Sequence, residues 1–261
     1  MSSLQWLYQD ALSAFTAPSF GPRPPTPLLP GEALSDAAQL RQHVLHFGAA
    51  DLNSDDLKAS ASLWSRWHFS AVIAPALAAH LLLSRQLPLA LNQVALHLSD
   101  SRRTERLHFA HEGSAPQTSE PFAVFSLLID AHLTSVIATL ASLSGVSPRV
   151  FWNNAGTYFD YFTDVFAAHP SVEPQRLAEA HAILTQRQRP DGQLNPLYQP
   201  VSVGADGKRK RRLCCLRYRI PALGYCDNCP IACKRRHEKA DTKKARAVHG
   251  RGRKEGSKQR V

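Results

Sequence analysis

The 261-residue sequence lacks the motifs that identify the commonest enzyme classes. It has no Walker A loop and no HExxH, GxSxG or protein-kinase motif, so nothing indicates ATP binding, a zinc protease or a serine hydrolase. The nearest approach to a dinucleotide-binding GxGxxG, at 250–256, has one residue too many and follows no strand, so no bound nicotinamide is indicated. Thirteen glycines and eighteen prolines are too few and too scattered for a collagen-like chain.

Export and membrane signals are also sparse. The first ten residues lack a positive segment followed by an uninterrupted apolar core, so we expect a cytoplasmic protein. The apolar run Ala71–Leu83 is too short to cross a bilayer and contains Pro75. The run Phe122–Leu143 is long enough, but Asp130 and His132 in its middle favour a buried helix of a soluble protein.

The charge is divided unevenly along the chain. Residues 208–261 hold 19 of the 31 Lys and Arg residues but only 4 of the 21 Asp and Glu residues. The net charge of +10 therefore belongs to the C-terminal part, and the part before it is mildly acidic. We expect residues 236–261 to be a disordered basic tail. Because such tails are attracted to anionic lipid, peripheral contact with the inner face of the cytoplasmic membrane is a further expectation.

Hydrophobic periodicity predicts a helix-rich α+β domain with a small antiparallel sheet. Apolar spacings of three and four residues predict helices over the ranges 1–17, 31–47, 54–68, 63–83, 122–143, 150–166 and 174–188. Ser54 is the expected cap of the third helix, and Pro75 is expected to bend the fourth. Alternating residues around 94–98 and 107–109, separated by a polar stretch, predict a β-hairpin.

Changes in composition divide the chain into four parts. An N-terminal helix and a proline-rich extended connector occupy residues 1–30, and the helix-rich core domain occupies 31–203. A cysteine-containing segment follows at 204–235, and the basic tail occupies 236–261.

All five cysteines lie within twenty residues, at positions 214, 215, 226, 229 and 233. An odd, clustered set in a chain without an export signal favours a metal site over disulfides. CxxC is common to zinc and iron–sulfur sites, but the thiolates of the adjacent Cys214 and Cys215 diverge in an extended chain. They therefore suit an object wider than one zinc ion, such as a two-iron cluster. The spacing favours iron–sulfur and leaves a zinc-stapled loop open.

Basic residues surround these cysteines. The nearest are Lys208, Arg209, Lys210, Arg211, Arg212, Arg217 and Arg219. An iron–sulfur cluster held by four thiolates gains a further negative charge on reduction, so nearby cations would favour the reduced form and raise its potential. A solvated basic face is the alternative interpretation.

The segment from Cys214 to Cys229 resembles the C-terminal C-C-x10-C-x2-C signature of FhuF-type ferric siderophore reductases. The stretches LWSRWHF at 63–69 and SPRVFWNNAG at 147–156 are also similar to that family, so the resemblance covers residues 60 to 233. It implies a [2Fe–2S] cluster bound by Cys214, Cys215, Cys226 and Cys229, and one-electron reduction of ferric hydroxamate-type siderophores in the cytoplasm. Cys233 and the basic tail are not part of the signature.

Outer-sphere electron transfer of this kind needs no nucleophile or general base, so we expect no catalytic residue beyond the cluster. Candidate substrate contacts are the aromatic and polar side chains near the two similar stretches: Trp64, Trp67, His68, Trp152, Asn153, Asn154 and Tyr158. Core packing of the tryptophans, and capping or turn formation by the asparagines, are the structural alternatives.

The partners expected are a ferric hydroxamate-type siderophore and a separate electron donor, either a protein or a small reductant, because no nucleotide motif is present. The competing hypothesis is a nucleic-acid-binding module in which a zinc-stapled C-terminus presents the basic tail to phosphates. The tail has almost no aromatic residues, which makes nucleic acid the less favoured partner.

Overall fold

The computed structural model describes residues 4, 8, 12–13, 16–204 and 207–232. Most of the predicted helix at 1–17, together with Cys233 and the tail at 236–261, lies outside these residues. The described part is a helix-rich α+β fold with a small sheet, which confirms the predicted fold class.

The helices follow the predicted order. They are α1 (Ala37–Leu52), α2 (Leu57–Leu83), α3 (Pro121–Val124), α4 (Ser126–Leu128), α5 (Thr134–Ser144), α6 (Pro148–Ala167) and α7 (Pro174–Thr185). A π-helical turn, Ile129–Leu133, joins α4 to α5, and 3₁₀ turns occupy Gly31–Ser35 and Arg217–Arg219. The long predicted helix at 122–143 is therefore divided into shorter pieces.

The main sheet has the strand order β1 (Ser19–Phe20), β4 (Thr104–Phe109), β3 (Val94–Leu98) and β2 (Leu29–Pro30). The β3–β4 pair is the predicted hairpin, with Val94 opposite Phe109. The sheet is mixed rather than purely antiparallel, because the proline-rich connector supplies both edge strands and β1 runs parallel to β4.

Helix α2 is one continuous helix where the sequence predicted two overlapping ones. Its cap is Asp56, whose carboxylate accepts a hydrogen bond from Ala59 N at 3.0 Å. The prediction of Ser54 as the cap is wrong, because the Ser54 hydroxyl accepts from Asp56 N instead. Pro75 lies inside the helix without ending it. The helix is buried along most of its length and forms the centre of the core.

Helix α6 packs along α2 and carries the chain leading to the cysteines. Phe159, Phe162 and Phe166 of α6 are fully buried. A Cβ atom at Gly156 would lie 2.7 Å from the Pro200 side chain, so only glycine allows that chain to cross α6 so closely. Beyond Pro200, β5 (Val201–Val203) and β6 (Arg209–Arg211) form a second, antiparallel sheet that leads into the cysteine segment.

Residues Ser126–Ser144 form the one helical stretch, among those described, that is long and apolar enough to cross a membrane by length and composition. In this fold the stretch contributes to the core. His132 is fully buried and its Nδ1 lies 2.8 Å from the Leu89 carbonyl oxygen. Asp130 reaches the surface and pairs with both guanidinium nitrogens of Arg189 at 2.7 and 2.8 Å.

Candidate metal centre

Four cysteines converge beside the start of α2. Cys215, Cys226 and Cys229 are buried, and the partly exposed Cys214 packs against them. The chain turns directly after the adjacent pair because Leu216 adopts a left-handed conformation, with φ of 59°. A tight turn closed by a 3.1 Å bond from Cys229 N to Cys226 O brings the second pair together.

The thiols are arranged as two pairs. The Sγ atoms of Cys215 and Cys226 are 3.8 Å apart. Two sulfurs bound tetrahedrally to one metal at a bond length of about 2.3 Å are separated by about 3.8 Å, so this pair is placed to share a metal ion. Cys214 and Cys229 form the other hydrogen-bonded pair. Among the described residues no three His, Cys, Asp or Glu side chains are grouped closely enough to hold one metal ion.

Two arginines place positive charge beside the cysteine thiols. The Nη1 atom of Arg66 lies 3.9 Å from Cys215 Sγ. Arg211 is only 2% exposed and donates to Asn154 Oδ1 and to the Leu213 carbonyl oxygen. Neither arginine pairs with a carboxylate in the part of the chain that the structure describes. Because a buried cation needs a compensating charge, the residues present fit an anionic, thiolate-bound group.

The pKa values of the thiols differ because their hydrogen bonds, burial and distance from the arginines differ. The pKa of Cys215 is lowered to about 5, first by a hydrogen bond from the Cys226 thiol and then by the charges of Arg211 and Arg66. Burial raises the pKa of Cys214 to about 11. The pKa of Cys226 is also raised, because its thiol donates to Cys215 and is partly buried. Cys215 is therefore the first of these three to become a thiolate.

Asn153 and Asn154 of α6 hold the cysteine segment in place. Asn154 donates to the carbonyl oxygen of Ser62 at 3.0 Å and accepts from Arg211. Asn153 accepts from Leu213 N at 3.0 Å and donates to the Pro200 carbonyl oxygen. These bonds assign both side chains a positioning role in the cysteine segment, and Asn153 also lines the second of the two cavities described below.

Ionic contacts anchor the outside of the segment. Arg219 donates to the Asp56 carboxylate at 2.7 Å, which joins the cysteine segment to the cap of α2. Arg209 of β6 pairs with Asp160 and Asp164 of α6. Ser62 completes the inner contacts, because its hydroxyl donates to the Cys215 carbonyl oxygen at 2.8 Å.

Trp64 and His68 are buried in the core and have no surface available to a chelate. The Trp64 indole donates to the Arg102 carbonyl oxygen at 3.0 Å. The two ring nitrogens of His68 lie 3.0 Å from Thr104 Oγ1 and from His132 Nε2. The prediction that Trp64 and His68 contact substrate is therefore replaced by the structural alternative, core packing.

The remaining predicted contacts line two cavities. Trp67, which is 49% exposed, and Tyr158 line a cavity of about 490 Å³ that also includes Arg66. We call it the arginine cavity. Trp152 lines a second cavity, of about 630 Å³, together with Arg212. The structure thus separates Trp152 from Trp67 and Tyr158.

Sequence reasoning missed the specific roles of Ser62, Arg66 and Arg211. Arg66 stands inside a mostly apolar stretch, and an isolated charge there is a signal that could have marked it. The serines of α2 are a second such signal, because Ser62 and Ser65 are buried on an otherwise apolar helix. Arg211 was one of five consecutive basic residues, and only the fold distinguishes it from its exposed neighbours.

The fold and this site define a helix-rich metal–thiolate protein. Residues 62–210 match the family model "Ferric iron reductase FhuF-like transporter", and residues 211–230 match "FhuF 2Fe-2S C-terminal domain". The chain belongs to the FhuF family. Its cofactor is a [2Fe–2S] cluster, which confirms the iron–sulfur prediction and displaces the zinc alternative.

One curated relative is the "Ferric siderophore reductase" of Escherichia coli strain K12, which is 26% identical over 176 residues. The match covers 65% of this chain and 64% of the relative. Among solved structures, the aerobactin synthetase IucA from a hypervirulent pathotype of Klebsiella pneumoniae superposes with a TM-score of 0.48 and 14% identity. That match covers 66% of this chain and 37% of the synthetase.

Proposed function

We propose that this protein is a cytoplasmic ferric siderophore reductase that acts on hydroxamate-type chelates. The activity named for the Escherichia coli relative supports the reaction class. The observation that carries the proposal is the contact between Arg66 and Cys215, because Arg66 also lines an open cavity. A chelate in that cavity would lie one side chain away from the cluster ligands.

We also propose that Cys214, Cys215, Cys226 and Cys229 hold the cluster. The 3.8 Å separation of Cys215 and Cys226 supports their sharing one iron, and Cys214 with Cys229 would hold the other. Cys233 lies outside both the described residues and the family match, so we do not include it among the ligands.

When bound by these cysteines and reduced by a donor, the cluster would supply the single electron that converts Fe(III) in the chelate to Fe(II). Hydroxamate oxygens are hard ligands that prefer Fe(III), so the reduced iron is released to other ligands. The protein contributes charge and position: Arg66 and Arg211 favour the more negative state beside them, while Asn153 and Asn154 fix the segment. No side chain has to transfer a proton for the electron to move.

The electron must enter from a separate donor, either a protein or a small reductant.

We further propose that the basic tail at 236–261 contacts anionic lipid at the inner face of the cytoplasmic membrane. Deletion of the tail should reduce sedimentation with vesicles of anionic lipid, and unchanged sedimentation would refute this part of the proposal.

The reductase proposal is tested by turnover under anaerobic conditions. The purified protein, reduced with dithionite and freed of excess reductant, is mixed with a ferric trihydroxamate and an Fe(II)-specific chromophoric chelator. We expect Fe(II) formation with the wild type and none above background with Cys215→Ser. Equal rates for the two proteins would refute the proposal.

A further inference from the structure

The arginine cavity has an unusually cationic wall. The polar and charged side chains that line it, together with one tryptophan, are Arg66, Arg103, Arg217, Asp51, Tyr158 and Trp67. Three guanidinium groups therefore face one carboxylate. A cavity lined by an excess of one charge concentrates ligands of the other sign.

The single carboxylate is already engaged. Asp51 lies 3.5 Å from Arg103, whose guanidinium also covers the Trp67 ring at 4.2 Å from its centroid. Arg66 is hydrogen-bonded to Tyr158, yet its buried Nε has no hydrogen-bond partner among the described residues. Arg217 forms no ion pair within the same part of the chain. Arg217 is thus available to an anionic ligand, and Arg66 lies beside it between the cavity and Cys215.

The second cavity has a different character. It is larger, its wall includes the 68% exposed Leu194, and its arginines are Arg149 and Arg212. No side chain that lines it is hydrogen-bonded to a cysteine sulfur among the described residues. Of these two cavities, the arginine cavity is the one whose wall, among the described residues, contacts a proposed cluster ligand, through Arg66 and Cys215.

We propose that the arginine cavity binds ferric chelates that carry a net negative charge, such as hydroxamate chelates with a free carboxylate. Arg217 and Arg66 attract the anionic chelate, and Trp67 and Tyr158 pack against its apolar arms. This inference rests on the proposed function and specifies its substrate class. It also assigns Trp67 and Tyr158 to the binding site and leaves Trp152 outside it.

Gallium complexes separate binding from reduction, because Ga(III) resembles Fe(III) in charge and size but accepts no electron here. The probes are Ga(III) complexes of one linear trihydroxamate whose end group is an amine, an acetamide or a succinamic acid, which makes them cationic, neutral and anionic. Calorimetry with the cluster-loaded protein at low salt measures their affinities. We expect the anionic complex to bind at least about tenfold more tightly than the cationic one.

The matched variants are Arg217→Gln and Arg212→Gln. Both remove one positive charge from the cysteine segment, but only Arg217 lines the arginine cavity. We expect Arg217→Gln to weaken binding of the anionic complex about fivefold and to leave the neutral complex unchanged, with an unaltered visible spectrum. Arg212→Gln should change neither affinity.

Three results would overturn the inference: equal affinity for the three complexes, loss of affinity in Arg212→Gln but not in Arg217→Gln, or turnover of ferric chelates without binding of any gallium complex. In the last case the proposed reductase function would be supported and this binding site would be refuted. Charge-dependent binding that responds to Arg217, in a protein that reduces no ferric chelate, would support this site and refute the reductase function.

Discussion

The helical core and the cysteine segment are stabilised by different forces. The core is formed by apolar burial, with α2 packed against α6 and with aromatic side chains of α6 such as Phe159 and Phe162 fully buried. The cysteine segment has little regular structure after β6 and is held by polar contacts to Asn153, Asn154 and Asp56. The core should therefore persist without the cofactor, whereas the segment should depend on it.

The largest expected effect concerns the segment alone. Cys215→Ser should abolish the visible absorption of the cluster, because Cys215 is one of the four proposed ligands and its thiol contacts Arg66. The far-ultraviolet circular dichroism should keep its helical signal. Cys233→Ser is the matched control and should retain the full visible spectrum. Bleaching by Cys233→Ser but not by Cys215→Ser would refute the ligand assignment.

The converse change is made in the core. Phe159→Ala should lower the free energy of unfolding by about 3–5 kcal/mol, because it leaves a cavity where the fully buried ring packs against Phe125. Chemical denaturation followed by circular dichroism measures this loss. We expect the visible spectrum to disappear in the same transition, since the segment needs α2 and α6 as its support. A coloured protein with an unfolded core would contradict this dependence.

Arg211 tests the charge balance within the segment. Arg211→Met keeps an apolar stem but removes the buried charge, so the reduction potential of the cluster should fall by on the order of 100 mV. Potentiometric titration followed by EPR measures the shift. An unchanged potential would mean that Arg211 only positions Asn154 and does not tune the cluster.

Acidification should affect the core first. Burial lowers the pKa of His132 from its usual 6.5 to about 4, and burial also lowers the pKa of His68 well below its usual value. Below pH 6.5 these histidines bind protons in the unfolded chain but stay neutral in the folded one. Their contribution to the free energy of unfolding is therefore complete above pH 6.5 and is lost as the pH falls toward 4. Lowering the pH from 7 to 5 should cost about 2 kcal/mol from His132 alone. Denaturation curves that coincide at the two pH values would contradict this.

The smallest effect is expected for an exposed contact of the segment. Arg219→Gln removes the ion pair with Asp56. The Arg219 side chain is 41% exposed and that of Asp56 is 20% exposed, and such pairs contribute less than about 1 kcal/mol to the free energy of unfolding. The rate of cluster loss to a strong iron chelator should therefore stay within about twofold of the wild type. A much faster loss would show that outer ionic contacts, rather than the buried ones, hold the segment.

The parts of the fold that were predictable are local in sequence. The hairpin and most helices follow from periodicity, and the four proposed cluster ligands lie within a short span with a distinctive spacing. The position of Arg66 beside Cys215 was not predictable, because the two residues are 149 positions apart in sequence. The hydrogen bonds by which Asn153 and Asn154 hold the cysteine segment were not predictable for the same reason. Residue type left both substrate contact and structural hydrogen bonding open there, and tertiary packing buries both side chains.

The most direct test of the account follows the cluster and the substrate iron in one sample. Anaerobically reduced protein is frozen before and after addition of one equivalent of a ferric trihydroxamate, and its EPR spectrum is compared with the Fe(II) captured by a chromophoric chelator. If the cluster reduces siderophore iron, the S = ½ signal disappears on mixing and about one Fe(II) is formed per cluster oxidised. A signal that persists while the chelate stays ferric would contradict the claim that this cluster reduces siderophore iron.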